Sequence, residues 1–572
     1  MAIKTLIFTT CYNERDNIGP LLDQIFLAEP SADVLVLDDS SPDGTWDVIR
    51  ERQQRYPQLS AVRRPGKRGI GSAHKYALLY AMREGYDVLV TMDADFSHDP
   101  KSIPDLLAQH EKGVFVTGSR YCPGGRSDYT GLRNIISRLG NFAARALLNL
   151  GIREVTTYFR VIDVATLSRL PLRYLQSEGY SYGVQLVYYL REAGVKLREV
   201  PIHFIDRGHG VSKIPKLQVM TSAVDLLMLS AKRLKFWRDV TPDVPVGDAC
   251  ISCGDRVLAM KHAGRSRRTV TAPPVAYRCT SVGSRSYPPV YTCLACGLDQ
   301  VPRSLVPTNL EQLYAEVMDE GYLKNAAARR RSFARCIERM QNRLPKTQVS
   351  LLEIGAYCGL FMEEATLHGW QCVGIEPSRW AASYARNTTK VNVHTGFLSE
   401  NRSKLEANYD AVVAWDVLEH VRHPVDFVRE CGEMLTPGGL LFISTLDTGN
   451  WLPRVLGRRW PWLMDMHIQY FDIRSVKDVL RRAGFELVAA EPYTHYVRPR
   501  YMIEAGARIL PSWMAASLLH FAALVPDRLI VPFAAGDIKM YVARKQPMLV
   551  EASTLYRVDH HSSSIKGLPA HA

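Results

Sequence analysis

Short apolar runs, separated by helical lengths of chain, occur in two series and constrain the fold of this sequence more than any other feature. The runs lie at residues 6–8, 34–37, 88–92 and 114–117 in the first series, and at 350–355, 372–376, 411–414 and 440–444 in the second. Strands that alternate with helices are typical of parallel α/β sheets. We therefore predict two α/β domains, each built on a doubly wound sheet.

The chain length of 572 residues exceeds what one hydrophobic core organises, since domains of about 100 to 200 residues are usual. Hydrophobic residues make up 47% and charged residues 23%, which excludes a disordered chain and a disulfide-rich scaffold. Changes in composition predict five segments: a first α/β domain (residues 1–240), a Cys-rich module (248–302), a helical connector (303–345), a second α/β domain (346–545) and a disordered tail (546–572).

The formal net charge of +13 attracts nucleic acid, anionic membrane surfaces and phosphate-bearing substrates alike. The cysteines are scattered apart from two Cys-x-x-Cys pairs, and residues 1–10 lack the order of a signal peptide. No apolar run reaches the ~20 residues of a spanning helix. Residues 217–239 and 509–533 suit either docking on a membrane surface or packing within the protein. We predict a cytoplasmic protein that is peripheral at the inner face of the membrane.

Polar residues follow three of the apolar runs in the first domain, at residues 12–14, 38–39 and 93–95. Ligands of open α/β sheets bind beyond the carboxyl ends of the strands, so these side chains converge on one edge. Asp93 and Asp95 are alternate residues of extended chain, so both carboxylates can reach one hard divalent cation. Such a cation neutralises a departing pyrophosphate when a sugar leaves its nucleotide. Taken alone, the pair is better explained as a solvated turn that contains two acids.

Several further segments surround this pair in an order typical of one enzyme family. They are Tyr12-Asn13-Glu14-Arg15, Asp38-Asp39-Ser40-Ser41-Pro42-Asp43-Gly44-Thr45, Gly66-Lys67-Arg68-Gly69-Ile70-Gly71-Ser72-Ala73, Met92-Asp93-Ala94-Asp95-Phe96-Ser97-His98-Asp99-Pro100, Gly118-Ser119-Arg120-Tyr121 and Asp206-Arg207-Gly208-His209-Gly210-Val211-Ser212-Lys213. Together they cover nearly the whole first domain, which resembles the dolichol-phosphate mannosyltransferase branch of the family 2 glycosyltransferases. The resemblance implies a GT-A fold and the transfer of a hexose from a nucleotide diphosphate sugar, of the GDP-mannose or UDP-glucose type, to a polyprenyl phosphate.

The resemblance also implies roles for individual residues of the first domain. Those expected to surround the nucleotide sugar are Thr10, Tyr12, Glu14, Asp38 and Asp39. Asp93 and Asp95 are expected to hold Mg²⁺ or Mn²⁺ on the diphosphate. Those expected to gather phosphate groups are the catalytic Arg120, Arg207 and Lys213, and Arg133 and Ser137 for the acceptor phosphate. For Arg133 and Ser137 an ordinary surface position is an equal alternative.

The acceptor side departs from the family pattern. A phosphate monoester with a second pKa near ~6 is already largely dianionic at neutral pH and attacks without a general base. Gln185 stands where relatives commonly carry an acidic residue, so a phosphate acceptor suits this chain. Tyr158 replaces a family glycine and is expected to reshape the acceptor pocket. Direct transfer to a saccharide hydroxyl, as in cell-surface polysaccharide synthesis, is the alternative.

Two Cys-x-x-Cys pairs, Cys250 with Cys253 and Cys293 with Cys296, have the spacing of a tetrahedral zinc site. We predict a small zinc-ribbon-like module. Reduced buried cysteines and redox thiols are the alternatives that the spacing leaves open. No nucleic-acid partner is expected, because aromatic residues do not interleave with an ordered basic helix.

In the second α/β domain, the loop from Glu353 to Gly359 follows a strand and precedes a helix, so its backbone can approach a bound nucleoside closely. Glu376 ends the next strand, where a carboxylate accepts from ribose hydroxyls. These features, with Trp415-Asp416-Val417-Leu418-Glu419-His420-Val421, Leu435-Thr436-Pro437-Gly438-Gly439 and Ala483-Gly484-Phe485, resemble the Rossmann-like class I S-adenosylmethionine methyltransferases.

That resemblance implies a set of residues that bind S-adenosylmethionine, namely Glu353, Gly355, Gly359, Glu376 and Asp416. His420 and His467 are candidate bases for methyl transfer, although structural or cofactor-flanking roles are favoured, and Met464 and Met466 are predicted core residues. The leading hypothesis is a bifunctional transferase that also methylates a glycan or lipid-linked intermediate. A non-catalytic scaffold at the membrane surface is the non-enzymatic alternative.

Overall fold

The structure is a computed structural model that describes residues 3–175, 179, 181–205, 247–265, 286–344, 346–507 and 512–546. The chain forms two compact units. The first comprises the residues up to 247 together with 255–260, and the second comprises residues 248–254 and those from 261 to 553. The two segments 206–246 and 547–572, which include residues 217–239 and almost all of the predicted tail, lie outside the described residues.

The strands of the first unit are β1 (Thr5–Cys11), β2 (Asp33–Asp38), β3 (Leu59–Arg63), β4 (Val88–Asp93), β5 (Val114–Ser119), β6 (Arg126–Ser127), β7 (Arg160–Asp163), β8 (Lys196–Pro201) and β9 (His203–Phe204). The central strands, β1, β2 and β4, are short and almost wholly apolar, as expected of a sheet with helices on both faces. The main sheet has the order β3-β2-β1-β4-β7-β5-β8. All neighbours in it are parallel except β7, which runs antiparallel to both β4 and β5.

Helices alternate with the strands of the first unit along the chain. They are α1 (Arg15–Ala28), α2 (Thr45–Arg55), α3 (Ile70–Arg83), α4 (Ile103–Leu107), α5 (Gly131–Leu148), α6 (Val164–Leu167) and α7 (Ser181–Glu192). Ile18, Leu22 and Ile25 of α1 are fully buried and belong to one core with Val34 and Val90 of the sheet. Burial of these side chains at about 1.5–3 kcal/mol each fixes the carboxyl ends of the strands relative to one another.

From residue 258 onward the described strands are β10 (Leu258–His262), β11 (Val290–Cys293), β12 (Asp299–Gln300), β13 (Ser350–Ile354), β14 (Gln371–Glu376), β15 (Val393–Thr395), β16 (Tyr409–Trp415), β17 (Leu435–Leu446), β18 (Gln469–Tyr470), β19 (Phe485–Pro492), β20 (His495–Val497), β21 (Val531–Phe533) and β22 (Ile538–Lys545). The large sheet of the second unit has the order β15-β14-β13-β16-β17-β22-β19. Its first five members are parallel, and β22 runs antiparallel to β17 and β19.

The helices of the second unit include the predicted connector. They are α8 (Leu310–Ala315), α9 (Glu320–Leu323), α10 (Ala326–Gln341), α11 (Leu360–Leu367), α12 (Arg379–Tyr384), α13 (Leu398–Asn401), α14 (Pro424–Glu433), α15 (Trp451–Leu456), α16 (Ile473–Arg482), α17 (Pro499–Ala507) and α18 (Ser512–Leu524). Phe333 and Ile337 of α10 join the same core as Leu351 and Phe442 of the sheet. The connector is therefore packed onto the second sheet. Within the described ranges, no helix combines the length and the hydropathy needed to cross a membrane.

The predicted fold class is confirmed: both units are α/β, the first GT-A-like and the second Rossmann-like, with a cysteine cluster between them in the sequence. In each sheet the strand order reverses beside the first strand of the series, between β1 and β4 and between β13 and β16. Crevices for ligands form at such switch points, outside the carboxyl ends of the strands. The candidate sites lie there.

Candidate active sites

The register of the first sheet brings the predicted donor residues to one edge. Thr10 of β1 is the lateral neighbour of Asp93 of β4, and Cys11 is the neighbour of Asp38 of β2. These residues are the last or next-to-last of their strands, so their side chains and the loops that follow meet at the carboxyl edge. The structure thus brings together predicted residues that are far apart in the sequence.

Two acidic residues after β2 are held in different ways. Asp38 is fully buried and accepts hydrogen bonds from the backbone N–H of Ser41 at 3.2 Å and from its hydroxyl at 2.5 Å. Burial raises the pKa of Asp38, while the bonds from Ser41 act in the opposite direction. Asp39 accepts from Arg64, with Nε at 2.5 Å and Nη2 at 2.8 Å. Arg64 is itself fully buried, and its Nη1 donates to the Ser72 hydroxyl at 2.7 Å.

The loop after β1 is fastened to the loop after β2 by hydroxyl groups. The Asn13 N–H donates to Ser41 Oγ at 2.9 Å, and the Glu14 N–H donates to Thr45 Oγ1 at 3.0 Å. Tyr12 lies half-buried, with the Lys67 ammonium 3.6 Å from its ring centroid. These contacts give the edge a planar ring, carboxylates and a cation, which are the groups that recognise a base, a ribose and a diphosphate.

Asp93 and Asp95 lie at the end of β4 and in the turn that follows. Asp95 is buried, and its Oδ1 accepts from the Ser97 N–H at 3.1 Å. The Asp93 N–H donates to His98 Nδ1 at 3.0 Å, so the proton of this ring lies on Nε2, which is 3.0 Å from Thr157 Oγ1. Burial lowers the pKa of His98 to about 3, so the ring is neutral. The two carboxylates offer only hard oxygen donors, a set that fits Mg²⁺ or Mn²⁺.

Arg120 follows β5 and is paired with Glu154. Its Nε and Nη2 donate to the two carboxylate oxygens at 2.7 and 3.0 Å, and both side chains are buried. Burial alone would raise the pKa of Glu154, but the charge and hydrogen bonds of Arg120, together with the bonds from Thr156, hold that pKa below its ordinary value. The expected phosphate contact of Arg120 stays a prediction, and it involves a guanidinium that Glu154 already orients.

The structure describes only some of the other residues expected on the acceptor side. Ser137 accepts from the Tyr121 hydroxyl at 2.7 Å. Arg133 lies on the same helix, α5, but its side chain is outside the described part of the structure, as are Arg207 and Lys213 entirely. Tyr158 does not line an open pocket: its ring is 2% exposed and stacks on His74 with centroids 4.3 Å apart.

Helix α5 exposes large apolar side chains over one broad face. The exposed residues are Ile135 (54%), Ile136 (51%), Leu139 (61%), Phe142 (68%) and Leu147 (41%). Most of them recur at three- and four-residue intervals, the spacing of one helical stripe. Exposed apolar stripes of this kind mark surfaces that contact lipid or another protein.

The four paired cysteines come together in the second unit. Cys250 Sγ lies 3.6 Å from Cys296 Sγ, and Cys253 Sγ lies 3.6 Å from Cys293 Sγ. Each pair is followed by a left-handed glycine, Gly254 or Gly297, whose N–H bonds back to the first cysteine of its pair. Zinc–sulfur bonds of about 2.3 Å in a tetrahedron separate the sulfurs by roughly 3.8 Å, so the four thiols fit one zinc ion.

The glycine loop of the second unit joins β13 to α11. Gly355 has a φ of +79°, and a Cβ there would lie 2.6 Å from Val417, so only glycine fits. The same holds for Gly359, which has a φ of +75° and where an added Cβ would lie 2.5 Å from Val391.

The predicted acidic residues surround this loop. Glu376 accepts from the N–H groups of Tyr357 at 2.7 Å and Ser378 at 2.8 Å, and burial raises its pKa to about 7. Glu353 is also buried, and burial together with the charge of Glu376 raises its pKa. Asp416 follows β16 with a φ of +54° and accepts from the Ser444 hydroxyl at 2.6 Å. Close backbone and buried carboxylates fit a nucleoside such as that of S-adenosylmethionine.

His420 and His467 lie together, with ring centroids 4.9 Å apart. Met464 and Met466 beside them are 2% and 5% exposed, so their predicted core role is confirmed. Neither the contact of Tyr314 with His420 nor the pairing of Arg64 with Asp39 was predicted. The sequence carries no spacing signal for these pairs, which are formed by segments far apart in the chain.

Two family matches fall on the two α/β domains. Residues 6–170 match the family described as Glycosyl transferase family 2, and residues 325–490 match the family described as Methyltransferase domain.

Two characterised proteins share about a third of their residues with the first domain. The chain is 36% identical over 215 residues to the undecaprenyl-phosphate mannosyltransferase of Micrococcus luteus, covering 37% of this chain and 88% of that protein. It is 35% identical over 214 residues to the polyprenol monophosphomannose synthase of Mycolicibacterium smegmatis, covering 37% of this chain and 81% of that protein.

Solved structures similar to the chain include two S-adenosylmethionine-dependent methyltransferases. One, from Thermotoga maritima, is 19% identical, covering 38% of this chain and 89% of that one, with a TM-score of 0.25. The other, from Archaeoglobus fulgidus, is 15% identical, covering 40% of this chain and 100% of that one, with a TM-score of 0.28.

Proposed function

Since this chain belongs to glycosyl transferase family 2 and also carries an S-adenosylmethionine-dependent methyltransferase domain, we propose that each of its two α/β domains catalyses its own transfer reaction. The first transfers a hexose from a nucleotide diphosphate sugar to a polyprenyl phosphate. The second methylates a glycan or a lipid-linked intermediate. The observation that carries the first assignment is the convergence of Thr10, Asp38 and Asp93 at one sheet edge, with Asp95 in the adjoining turn.

The donor edge supports a nucleotide diphosphate sugar. Tyr12 with Lys67, and the buried Asp38, offer a ring face and acceptors to the base and ribose. Asp93 and Asp95 would hold Mg²⁺ or Mn²⁺, which supplies positive charge to the leaving diphosphate. Arg120, oriented by Glu154, together with Arg207 and Lys213 adds cationic donors for phosphate oxygens.

A phosphate acceptor agrees with the residues near the edge. An oxygen of the phosphate dianion attacks the anomeric carbon, the bond from that carbon to the diphosphate breaks, and no general base is required. Gln185 cannot serve as a base. Ser137 and Arg133 on α5 are the residues proposed to bind the acceptor phosphate. Both relatives are named for a polyprenyl-type acceptor and for mannose.

The exposed face of α5 supports a lipid-borne acceptor. Polyprenyl phosphates reside in membranes, and the apolar side chains of this helix would lie in the interfacial layer while the basic residues meet anionic headgroups. We propose that the protein is cytoplasmic and binds peripherally at the inner face of the membrane.

The test of the first assignment supplies radiolabelled GDP-mannose or UDP-glucose, Mg²⁺ and undecaprenyl phosphate to the full chain. Label in the organic phase is the expected result. Asp93→Asn and Asp95→Asn should each lower the rate by about 100-fold or more, since loss of the metal removes ~3 kcal/mol or more of transition-state stabilisation. Asp105→Asn, at an exposed position of α4, is the matched control. Label found only on an added oligosaccharide would instead establish the saccharide-hydroxyl alternative.

The second assignment rests on the residues around Gly355 and Glu376, which would hold S-adenosylmethionine; the cofactor supplies an electrophilic methyl group. Titration calorimetry with S-adenosylmethionine should show one site. Gly355→Arg should abolish binding, because any side chain there meets Val417. Gly369→Arg, which has the same left-handed conformation but open space around it, should bind as the parent does. Unchanged binding by Gly355→Arg would remove this loop from the site.

A further inference from the structure

Three side chains beside the glycine loop group their ligand atoms in the way that metal centres do. Glu419, His420 and His467 each offer one oxygen or nitrogen, and these atoms all lie within 4.8 Å of one another. Glu419 and His467 are buried and His420 is half-buried. We propose that Glu419, His420 and His467 form a binding site for a divalent first-row transition metal ion, separate from the cysteine cluster.

Backbone carbonyls fix the tautomer of both histidines. His420 Nδ1 lies 2.9 Å from the Met466 carbonyl oxygen, and His467 Nδ1 lies 2.8 Å from that of Trp462. A carbonyl oxygen only accepts, so each Nδ1 carries the proton and each Nε2 carries the lone pair. Metal-binding histidines are oriented in this way, with one nitrogen on a carbonyl and the other on the ion.

The hydrogen bonds recorded for the two rings in the described part of the chain all fall on Nδ1. Tyr314 completes this outer layer: its hydroxyl lies 3.0 Å from the Met466 carbonyl oxygen and 2.9 Å from His420 Nδ1. Neutral imidazole is the form that binds metals.

The carboxylate is positioned independently of the histidines. Thr445, on the neighbouring strand β17, donates from Oγ1 to Glu419 Oε2 at 2.8 Å. The Ile468 N–H also holds the backbone carbonyl of Glu419 at 3.0 Å, which ties the two halves of the cluster together. The site is therefore assembled by packing and secondary hydrogen bonds before any ion arrives, which lowers the cost of binding.

Two imidazoles and one carboxylate select the class of ion. Imidazole nitrogen suits Zn²⁺, Co²⁺, Fe²⁺ and Ni²⁺, whereas Mg²⁺ and Ca²⁺ prefer oxygen alone. Three protein ligands also leave coordination positions open, as in catalytic rather than structural zinc sites. The cysteine cluster offers four sulfurs, which fill all the positions of a tetrahedral ion and leave none open. The two sites consequently differ in the spectra of a bound probe ion.

The experiment uses the full chain, stripped of metal and then given one equivalent of Zn²⁺ to fill the thiols and excess Mg²⁺ to fill the proposed site at Asp93 and Asp95. The chain is then titrated with Co²⁺. Nitrogen- and oxygen-bound Co²⁺ gives visible ligand-field bands without the near-ultraviolet charge-transfer bands of thiolate-bound Co²⁺. We expect one equivalent of Co²⁺ to bind with the visible ligand-field bands alone. Glu419→Gln, His420→Gln and His467→Gln should each weaken its affinity by at least about 100-fold, since even outer-layer changes cost about 10- to 100-fold. His368→Gln, at an exposed position of the same unit, should bind Co²⁺ normally.

A milder variant keeps the proposal testable if the ligand variants fail to fold. Thr445→Val removes only the hydrogen bond to Glu419 and should weaken Co²⁺ binding about 10- to 100-fold. Thr448→Val, which loses only a bond to the Phe471 carbonyl, is its control. Absence of the nitrogen- and oxygen-type bands, or equal affinity in parent and ligand variants, would overturn the site. Neither readout depends on S-adenosylmethionine, so failure of methyl transfer is separately detected.

Discussion

Arg64 holds both carboxylate oxygens of Asp39, at 2.5 and 2.8 Å, beside the edge where the nucleotide sugar is proposed to bind. The arginine is fully buried and directly follows β3, while Asp39 directly follows β2, so the pair joins the ends of two neighbouring strands. A buried carboxylate that loses its partner is left uncompensated in a medium of low polarity. The ion pair thus supports both the fold and the shape of the donor edge.

Replacing Arg64 by Met should therefore affect stability and donor binding together. We expect a loss of about 3–5 kcal/mol in the free energy of unfolding, the usual cost of breaking a buried pair. The KM for the nucleotide sugar should also rise. Chemical denaturation and initial-rate kinetics measure the two effects. Arg55→Met is the matched control, because Arg55 is 67% exposed and its pair with Asp23 should contribute under about 1 kcal/mol. A small effect at Arg64 would contradict this role.

The cysteine cluster predicts one equivalent of tightly bound zinc per chain. Cys296→Ser should release it, whereas Cys372→Ser, at a half-buried thiol outside the cluster, should retain it. Emission spectroscopy after gel filtration measures the metal content. Because structural zinc supplies folding energy directly, a strong chelator should also lower the melting temperature of the second unit. Full zinc content in the Cys296 variant would contradict the assignment.

Binding of S-adenosylmethionine should become tighter as the pH rises. Glu376 already accepts one N–H on each oxygen, and its ionised form retains lone pairs for ribose hydroxyls. With the pKa raised to about 7 by burial, the carboxyl is mostly protonated below that pH and mostly ionised above it. The Kd should therefore fall by about tenfold between about pH 6 and about pH 8.

Calorimetry at several pH values measures this dependence, and Glu376→Gln should flatten it. Glu406→Gln, at an exposed position, should follow the parent. The raised pKa of Glu376 affects folding stability in the opposite direction to cofactor binding. Since the folded state holds its proton more tightly than the unfolded state, unliganded protein should lose stability as the pH rises from about 4.5 to about 7. A Kd independent of pH would remove Glu376 from the ribose contact.

The apolar face of α5 should bind membranes. Leu139→Glu combined with Phe142→Glu places charge at side chains that are 61% and 68% exposed, so folding stability should change by no more than about 1 kcal/mol in total. Sedimentation with anionic vesicles should show weaker binding, and transfer to polyprenyl phosphate in those vesicles should fall. Leu27→Glu, on α1 and 80% exposed, is the control. Equal vesicle binding by parent and double variant would show that another surface docks.

The strands that could be predicted from the sequence are those with apolar centres buried on both faces, such as β1 and β4 or β13 and β16. The sequence-based prediction did not include β8, whose residues are charged and largely half-buried because it lies at the sheet edge. It also did not include β22, which pairs antiparallel with β17, a strand almost a hundred residues earlier in the chain.

The sites divide in the same way. Asp93 and Glu376 are the last residues of β4 and β14, and Asp95 lies in the turn after β4. The position of each at the carboxyl edge of its own sheet could therefore be predicted from local pattern and the geometry of parallel sheets. The residues that neutralise or orient these carboxylates could not be predicted from local pattern. Arg64 and Asp39 are 25 residues apart, and Arg120 and Glu154 are 34 apart, separations that carry no periodic signal. Such pairs depend on how elements pack, which local sequence does not encode.

The reversed strand β7 has a consequence for how this enzyme can change. Because β7 runs against β4, the segment that leads into it arrives at the donor edge, where Thr157 contacts His98 next to Asp93. Tyr158, which stands where the resembling family carries a glycine, lies in this segment. The segment is separate from the loops that follow β1 and β2, so its sequence can vary while those loops stay unchanged. Under the proposed function, evolutionary change in acceptor preference can therefore be confined to this segment and leave the proposed nucleotide-sugar site intact.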